Sequence, residues 1–397
     1  MKRIYLTAIG IGMLIANIKA QDPANDTTYK VRKLHLYEIN FVSSYYAQNG
    51  DHAAVTGGEG SEKLHDIANV IDVTFIRYTK HANKQSLAVS LGIDYYTSAS
   101  SDMIDLAANS SASHSDIRTC PSLTFSSENN LKGTTVTGGI STSSESDYES
   151  KSASFSFSKK TEDHNGEFTM QTQLYLDRVS IIKPVELRTS APRDSHHYPR
   201  KDRNTFSLSL SYSQVINQRF EIMFLADVVQ QIGYLSMPFH RVFFKDSSVQ
   251  IEHLPGSRFK IPLGLRANYF WGDKIIIRWY YRFYHDDWGL TAHTIDVEVP
   301  VKITPFFSIS PFYRFYSQSA IRYFAPFQSH AADDTYYTSN YDYAKFISNF
   351  FGVGLQLEPP KGIFGNKHIN KLELRYGHYA KNVQLNSDII SMSLQFR

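Results

Sequence analysis

Apolar and polar residues alternate with period two along most of the chain beyond residue 33, the pattern of strands with one apolar and one polar face. In Ser86–Tyr96, Leu87, Val89, Leu91, Ile93 and Tyr95 alternate with serines, Ala88, Gly92 and Asp94. In Thr205–Ser213, Phe206, Leu208, Leu210 and Tyr212 alternate with serines. Every odd position from Phe259 to Trp271 is apolar, as is every odd position from Ile275 to Phe283, where Arg278 and Arg282 hold the even series. A soluble β-sandwich alternates in the same way, but its strands have a modal length of about 5–6 residues. The segments here run to about 10–13 residues, which suits tilted strands crossing a bilayer.

The connectors between these segments alternate in length. Long loops fall at Gln48–Asp66, Ser98–Ser115, Ser180–Arg203, Gly233–Arg258 and Ala320–Lys345, with short ones at Ser143–Asp147, Asp286–Gly289 and Ala380–Asn382. Between them come turns at His81–Lys84, Asn129–Gly133, Thr161–Gly166, Asn217-Gln218, Gly272-Asp273, Thr304-Pro305 and a longer one around Glu358–His368. The pattern predicts an all-β fold: a closed antiparallel transmembrane β-barrel of about 16 strands, within a range of 14–18, with long outer loops and short periplasmic turns. Closure follows from physics. In hydrocarbon every backbone N–H and C=O must find a partner, so a sheet cannot keep a free edge.

The first twenty residues change the picture from a barrel to an exported one. Lys2-Arg3, an apolar run from Ile4 to Ile18 and Ala20 before Gln21-Asp22-Pro23 describe a signal peptide over 1–20. Residues 21–33 are then a short periplasmic segment and 34–397 the barrel, placed in the outer membrane of a Gram-negative bacterium. The final strand carries Ile390, Met392, Leu394 and Phe396. Such an ending is what the barrel-insertion machinery reads, so that machinery and membrane lipid are the expected partners, together with a periplasmic or surface protein in a scaffold role.

Composition supports this with little addition. Mean hydropathy is −0.33, yet 26 Tyr and 26 Phe are present. Aromatic richness without a long apolar run suits girdles at two interfaces; Tyr280–Trp288 and Phe306–Phe327 read as girdle segments. The single Cys120 excludes an intramolecular disulfide framework. A net charge of +3 with mixed signs argues against nucleic acid.

If the odd series faces lipid, the even series lines a lumen. The lumen candidates are Asp94, Arg266, Arg278, Arg282, Asp296, Glu298, Arg314, Glu373 and Arg375, with Glu38, Asp72 and Asp227 beside them. At about 16 strands the lumen is wide enough for water unless something plugs it. The leading function is therefore a channel or transport barrel, or an envelope-complex component, without catalysis.

The first two outer loops are rich in acids and histidines. Asp51, His52, Asp66, Asp102 and Asp105 are candidate ligands for a divalent ion, with Ca2+ the ion that oxygen donors suit. No spacing there matches a metal-ligand signature, so solvated loops are the better explanation and no cofactor is required.

Those same loops carry a resemblance. Ala54–Gly58, Glu62–Leu64 and Asp66, followed by Asp94, Ser98–Asp102, Ile104, Asp105 and the Ser110–Asp116 stretch, resemble an uncharacterised family of Gram-negative outer-membrane proteins, a domain of unknown function. The resemblance implies a β-barrel over the mature chain and brings no activity. Genes of such families are thought to lie beside redox and flavin-transfer genes. This implies an alternative role as scaffold for a periplasmic or surface electron-transfer partner. With one Cys and no CxxCH, any redox group would belong to that partner.

A third reading is a rim-located hydrolase. His285-Asp286-Asp287 at a strand end and His196-His197 in a loop would be its groups. No GxSxG elbow accompanies them.

Overall fold

In the computed structural model the described residues are 33–79, 83–97, 115–188 and 198–397. They form an antiparallel meander of sixteen barrel strands. The first eight are β1 His35–Gly50, β2 Leu64–Tyr78, β3 Lys84–Thr97, β4 Ser115–Asn129, β5 Thr134–Ser144, β6 Tyr148–Lys160, β7 Gly166–Ser180 and β8 Arg200–Asn217. The second eight are β9 Phe220–Gly233, β10 Ser257–Trp271, β11 Ile275–Asp286, β12 Thr291–Glu298 with its continuation Val301–Thr304, β13 Phe307–Gln318, β14 Phe346–Leu357, β15 Ile369–Lys381 and β16 Leu385–Phe396. Each strand pairs with its sequence neighbours, and β16 pairs with β1 from Ile39↔Phe396 to Gly50↔Leu385. The sheet is thus a closed ring, as the connector lengths predicted, and the strand count is sixteen.

β12 is the one barrel strand in two pieces. Pro300 sits at the break, where a residue without an N–H cannot serve the ladder. The ladder is mended around it: Ile276 N–H donates to Pro300 O at 3.0 Å and Val299 N–H to Pro311 O at 2.9 Å. A similar economy closes the seam near the two ends of the ring, where Arg397 donates to Glu38 at 2.7 Å and 3.0 Å.

Among the described residues no helix is long and apolar enough to cross a membrane. The largest fully buried side chains do not lie inside the barrel wall. They are Trp288, Phe244, Ile363 and Val242, three of them in the long-loop end of the molecule. The barrel middle is therefore held by its hydrogen-bonded ladder, and apolar packing is concentrated where the loops meet. The expected leader and the segment before residue 33 lie outside the described residues.

Candidate functional site: the lumen and its loop cap

Two faces of the ring differ in chemistry. On the outer face Ile140, Phe224, Phe351 and Ile390 are 62%, 54%, 50% and 54% exposed, members of a continuous apolar belt. On the inner face stand Asp94, Arg266, Arg278, Arg282, Asp296, Glu298, Arg314, Glu373 and Arg375, each one register step from a belt residue. The inward arginines are nevertheless wet: the side chains of Arg278 and Arg314 are 51% and 50% exposed, that of Arg375 34%.

The inner wall is itself divided. Across β10–β15 it is charged and aromatic. Arg314 Nε lies 2.7 Å from Asp296 Oδ2, while Glu298 Oε1 is shared by Arg375 at 3.3 Å and Arg278 at 3.6 Å. Arg375 also reaches Glu373 at 3.2 Å. Beneath these guanidinium groups lie two rings, Phe312 and Phe350, with centroids 5.1 Å apart. Arg375 stands 5.0 Å over Phe312 and Arg314 5.9 Å over Phe350, a cation–π arrangement that holds each guanidinium near the wall. The rings pack close over Gly352 and Gly377, which face each other across the ladder and leave room for them. A Cβ on Gly377 would come within 2.5 Å of Phe350, and one on Gly352 within 2.0 Å of the Tyr376 carbonyl oxygen.

Across β3–β8 the inner wall is mostly hydroxyl. Ser126 faces Thr137, whose Oγ1 donates to Ser126 Oγ at 2.9 Å, and Ser141 and Ser152 are 2.7 Å apart. Ser207, Ser209 and Ser211 continue this face on β8. The serines that alternate with the belt residues in the sequence are thus the polar lining.

At the long-loop end, the loops 51–63, 234–256, 287–290 and 319–345 lock together. A short hairpin, Arg241–Phe243 with Val249–Ile251, carries Arg241 to Glu186 and, at 2.8 Å, to the Val55 carbonyl. His253 and Tyr337 exchange backbone hydrogen bonds of 3.1 Å and 2.8 Å. Glu252, 3% exposed, accepts from Thr338 Oγ1 at 2.6 Å and from Met237 N–H at 2.7 Å. His52 stacks on Tyr341 with centroids 3.7 Å apart. Behind them Trp288 packs with Leu235, Leu254, Leu290 and Ile321, and Arg258 lies 4.4 Å over its ring. Tyr343 of the same cluster has its hydroxyl pushed up to about 12, by burial first and then by Glu252. The segment Tyr341–Tyr343 leans into the mouth, where inward-facing Gln318 donates to the Asp342 and Ala344 carbonyls at 2.9 Å and 2.6 Å, and Lys381 Nζ reaches Asp342 at 2.7 Å.

Within this cap Glu62 is the acid most altered by its surroundings. Burial, then the nearby Asp342 carboxylate, raise its pKa to about 7 against the opposing pull of Lys381.

Among the described residues the metal candidates do not assemble. His52 is committed to Tyr341 and to the Gly58 carbonyl at 2.8 Å, Asp51 is exposed, and Asp66 stands on β2. Asp102 and Asp105 lie outside the described residues. The acidic groups that do converge are Asp116, Glu145 and Asp147. Asp116 is already served there by Ser146 Oγ at 2.7 Å and Ser146 N–H at 3.1 Å.

The pair at the rim is also divided by strand geometry. His285 is exposed on the outer face, with Nδ1 3.1 Å from Thr291 Oγ1. Asp286 is 2% exposed on the inner side, where it accepts from Arg258 Nε at 3.0 Å, Tyr284 Oη at 2.8 Å and the Trp288 and Leu290 N–H groups at 3.0 Å. Adjacent strand residues point to opposite faces, so the two cannot form one catalytic pair. His196 and His197 lie outside the described residues. The aromatic segments read as girdles are likewise split: Tyr281 and Tyr313 face outward, Tyr280, Phe312 and Tyr316 inward, and Trp288 belongs to the cap.

A family model described as Protein of unknown function (DUF3570) matches residues 106–390, well over half of the chain. The chain belongs to this family. Among solved structures, this DUF3570 barrel is similar to a BenF-like porin from Pseudomonas fluorescens Pf-5, at 8% identity and TM-score 0.42, with 90% of this chain and 98% of that chain covered. It is similar to the outer membrane protein opdK from Pseudomonas aeruginosa at 8% identity and TM-score 0.41, covering 90% and 97%. A third is a mutant of the ferric enterobactin receptor PfeA of Pseudomonas aeruginosa, at 10% identity and TM-score 0.44, covering 86% and 53%. No curated protein matches the sequence of this DUF3570 chain.

Proposed function

We propose that the protein is an outer-membrane barrel that lets small hydrophilic solutes pass through its lumen, without bond-making chemistry of its own. One observation carries this reading. Arg278 and Arg314, on the inner face of the barrel middle, are about half exposed inside a ring whose outer face is apolar. A packed interior would leave those side chains dry, whereas rings of this strand number enclose water. An apolar outer belt of this extent is costly in water and stable in lipid. The long loops then face outward and the short turns, with both ends of the described ring, face the periplasm. Ion pairs and hydroxyls on the wall offer polar contact to a passing solute without trapping it.

Vesicle swelling tests the reading. Liposomes carrying the folded full chain should take up arabinose faster than protein-free liposomes, with the rate falling for larger sugars. Equal rates with and without the barrel would overturn it.

A further inference from the structure

The acids of the β10–β15 wall are all engaged. Asp296 is held by Arg314 at 2.7 Å, and Glu298 by Arg375 and Arg278. Glu373 is held by Arg375 at 3.2 Å and by Lys371 at 3.7 Å. Two arginines remain. Among the described residues no carboxylate lies within ion-pair distance of Arg266 or Arg282. Glu221, the acid nearest to Arg266 on β9, accepts instead from Asn268 Nδ2 at 3.2 Å.

The two arginines are close neighbours along the wall. Arg266 lies directly across the ladder from Tyr280, and its guanidinium stands 5.1 Å over that ring. Arg282 is two residues further along the same face of β11. The two are diagonal partners on adjacent strands, about 7–8 Å apart at the backbone, within reach of one shared ligand. Gly264 is the residue opposite Arg282 on β10 and Thr294 is opposite it on β12, and the space over Gly264 is bordered by the uncharged side chains of Leu225 and Tyr280. Arg266 is exposed to the lumen.

We propose that Arg266 and Arg282 form a binding site for small oxyanions, carboxylates or phosphates, on the inner wall. The proposal rests on the passage reading and names the solute class that the lumen would favour. Guanidinium groups match the paired oxygens of such anions and cannot lose their charge. Two of them on diagonal register positions, neither ion-paired to an acid among the described residues, hold positive charge that a ligand would neutralise. The ring of Tyr280 keeps one of them in place while the other approaches.

The test uses the folded full chain in planar bilayers, as wild type and as the Arg266→Gln/Arg282→Gln double variant. Succinate added to one side should reduce the chloride current of the wild type. The double variant should need about tenfold more succinate for the same reduction, the loss expected for removing a charge-assisted contact. Arg282→Lys, which keeps charge but loses the planar fork, should fall between them. Inorganic phosphate in a parallel series separates the two sources of oxyanion: a response to phosphate alone, lost in the double variant, assigns the site to phosphates. Equal sensitivity of wild type and double variant to both anions would overturn the proposal. If the wild type carries no current, the passage reading fails. Calorimetric binding of succinate or phosphate to the detergent-solubilised chain then decides the site separately. Binding that the double substitution weakens would uphold it, and no binding would overturn it.

Discussion

Glu62 lies in the loop between β1 and β2, faced by Asp342 from loop 319–345, Lys381 from the end of β15, Gln48 as a hydrogen-bond partner and His240. Its carboxyl is held neutral to higher pH than usual, with a pKa raised from 4.5 to about 7. An acid raised in the folded state binds its proton more tightly there than in the undocked chain, so protonation stabilises the docked loop. That contribution is complete below pH 4.5 and is lost as pH rises through about 7. Hydrogen exchange of residues 51–63, corrected for intrinsic rates, should therefore show protection falling from pH 5 to pH 8. Glu62→Gln, which is neutral throughout, should flatten that dependence. A wild type and variant with the same pH profile would show that Glu62 does not set it.

At the scale of one strand, β8 shows how the period-two pattern becomes a wall. Leu208 and Ser209 are consecutive, yet one joins the exposed outer belt and the other the hydroxyl lining. An arginine at position 208 would be placed against lipid near mid-strand, at a cost of about 2–4 kcal/mol, while an arginine at 209 would enter the wet lumen at little cost. Denaturant titration of Leu208→Arg and Ser209→Arg in lipid should separate the two by that amount; equal stabilities would contradict the assignment of faces. This alternation was legible in the sequence because it is local: each residue's face follows from its parity. The cap was not legible. Arg241 finds Glu186 at a separation of 55 residues and the Val55 carbonyl at 186, and nothing in the spacing of His52 announces Tyr341 as its stacking partner. Phe312 and Phe350 were hidden for a related reason. Their inward placement follows from parity, but their close packing depends on Gly352 and Gly377, which face each other on neighbouring strands. The rim histidine and Asp286 looked like a pair only because they are adjacent in sequence.

Over the whole molecule, ring closure joins these levels. The β1–β16 ladder removes the free edge, the even number of strands returns both ends of the described ring to the turn side, and the loops gather at the opposite mouth. The wall encloses a lumen with charge on one side and hydroxyls on the other, and the cap leans over part of its mouth. A barrel filled by its own side chains would share the fold and lack the function. Single-channel recording distinguishes them most directly. The folded full chain, inserted into a planar bilayer in potassium chloride, should produce discrete and repeated conductance steps. Bilayers that stay silent, with the barrel shown to be folded and inserted, would contradict the hydrated lumen on which this account of the protein rests.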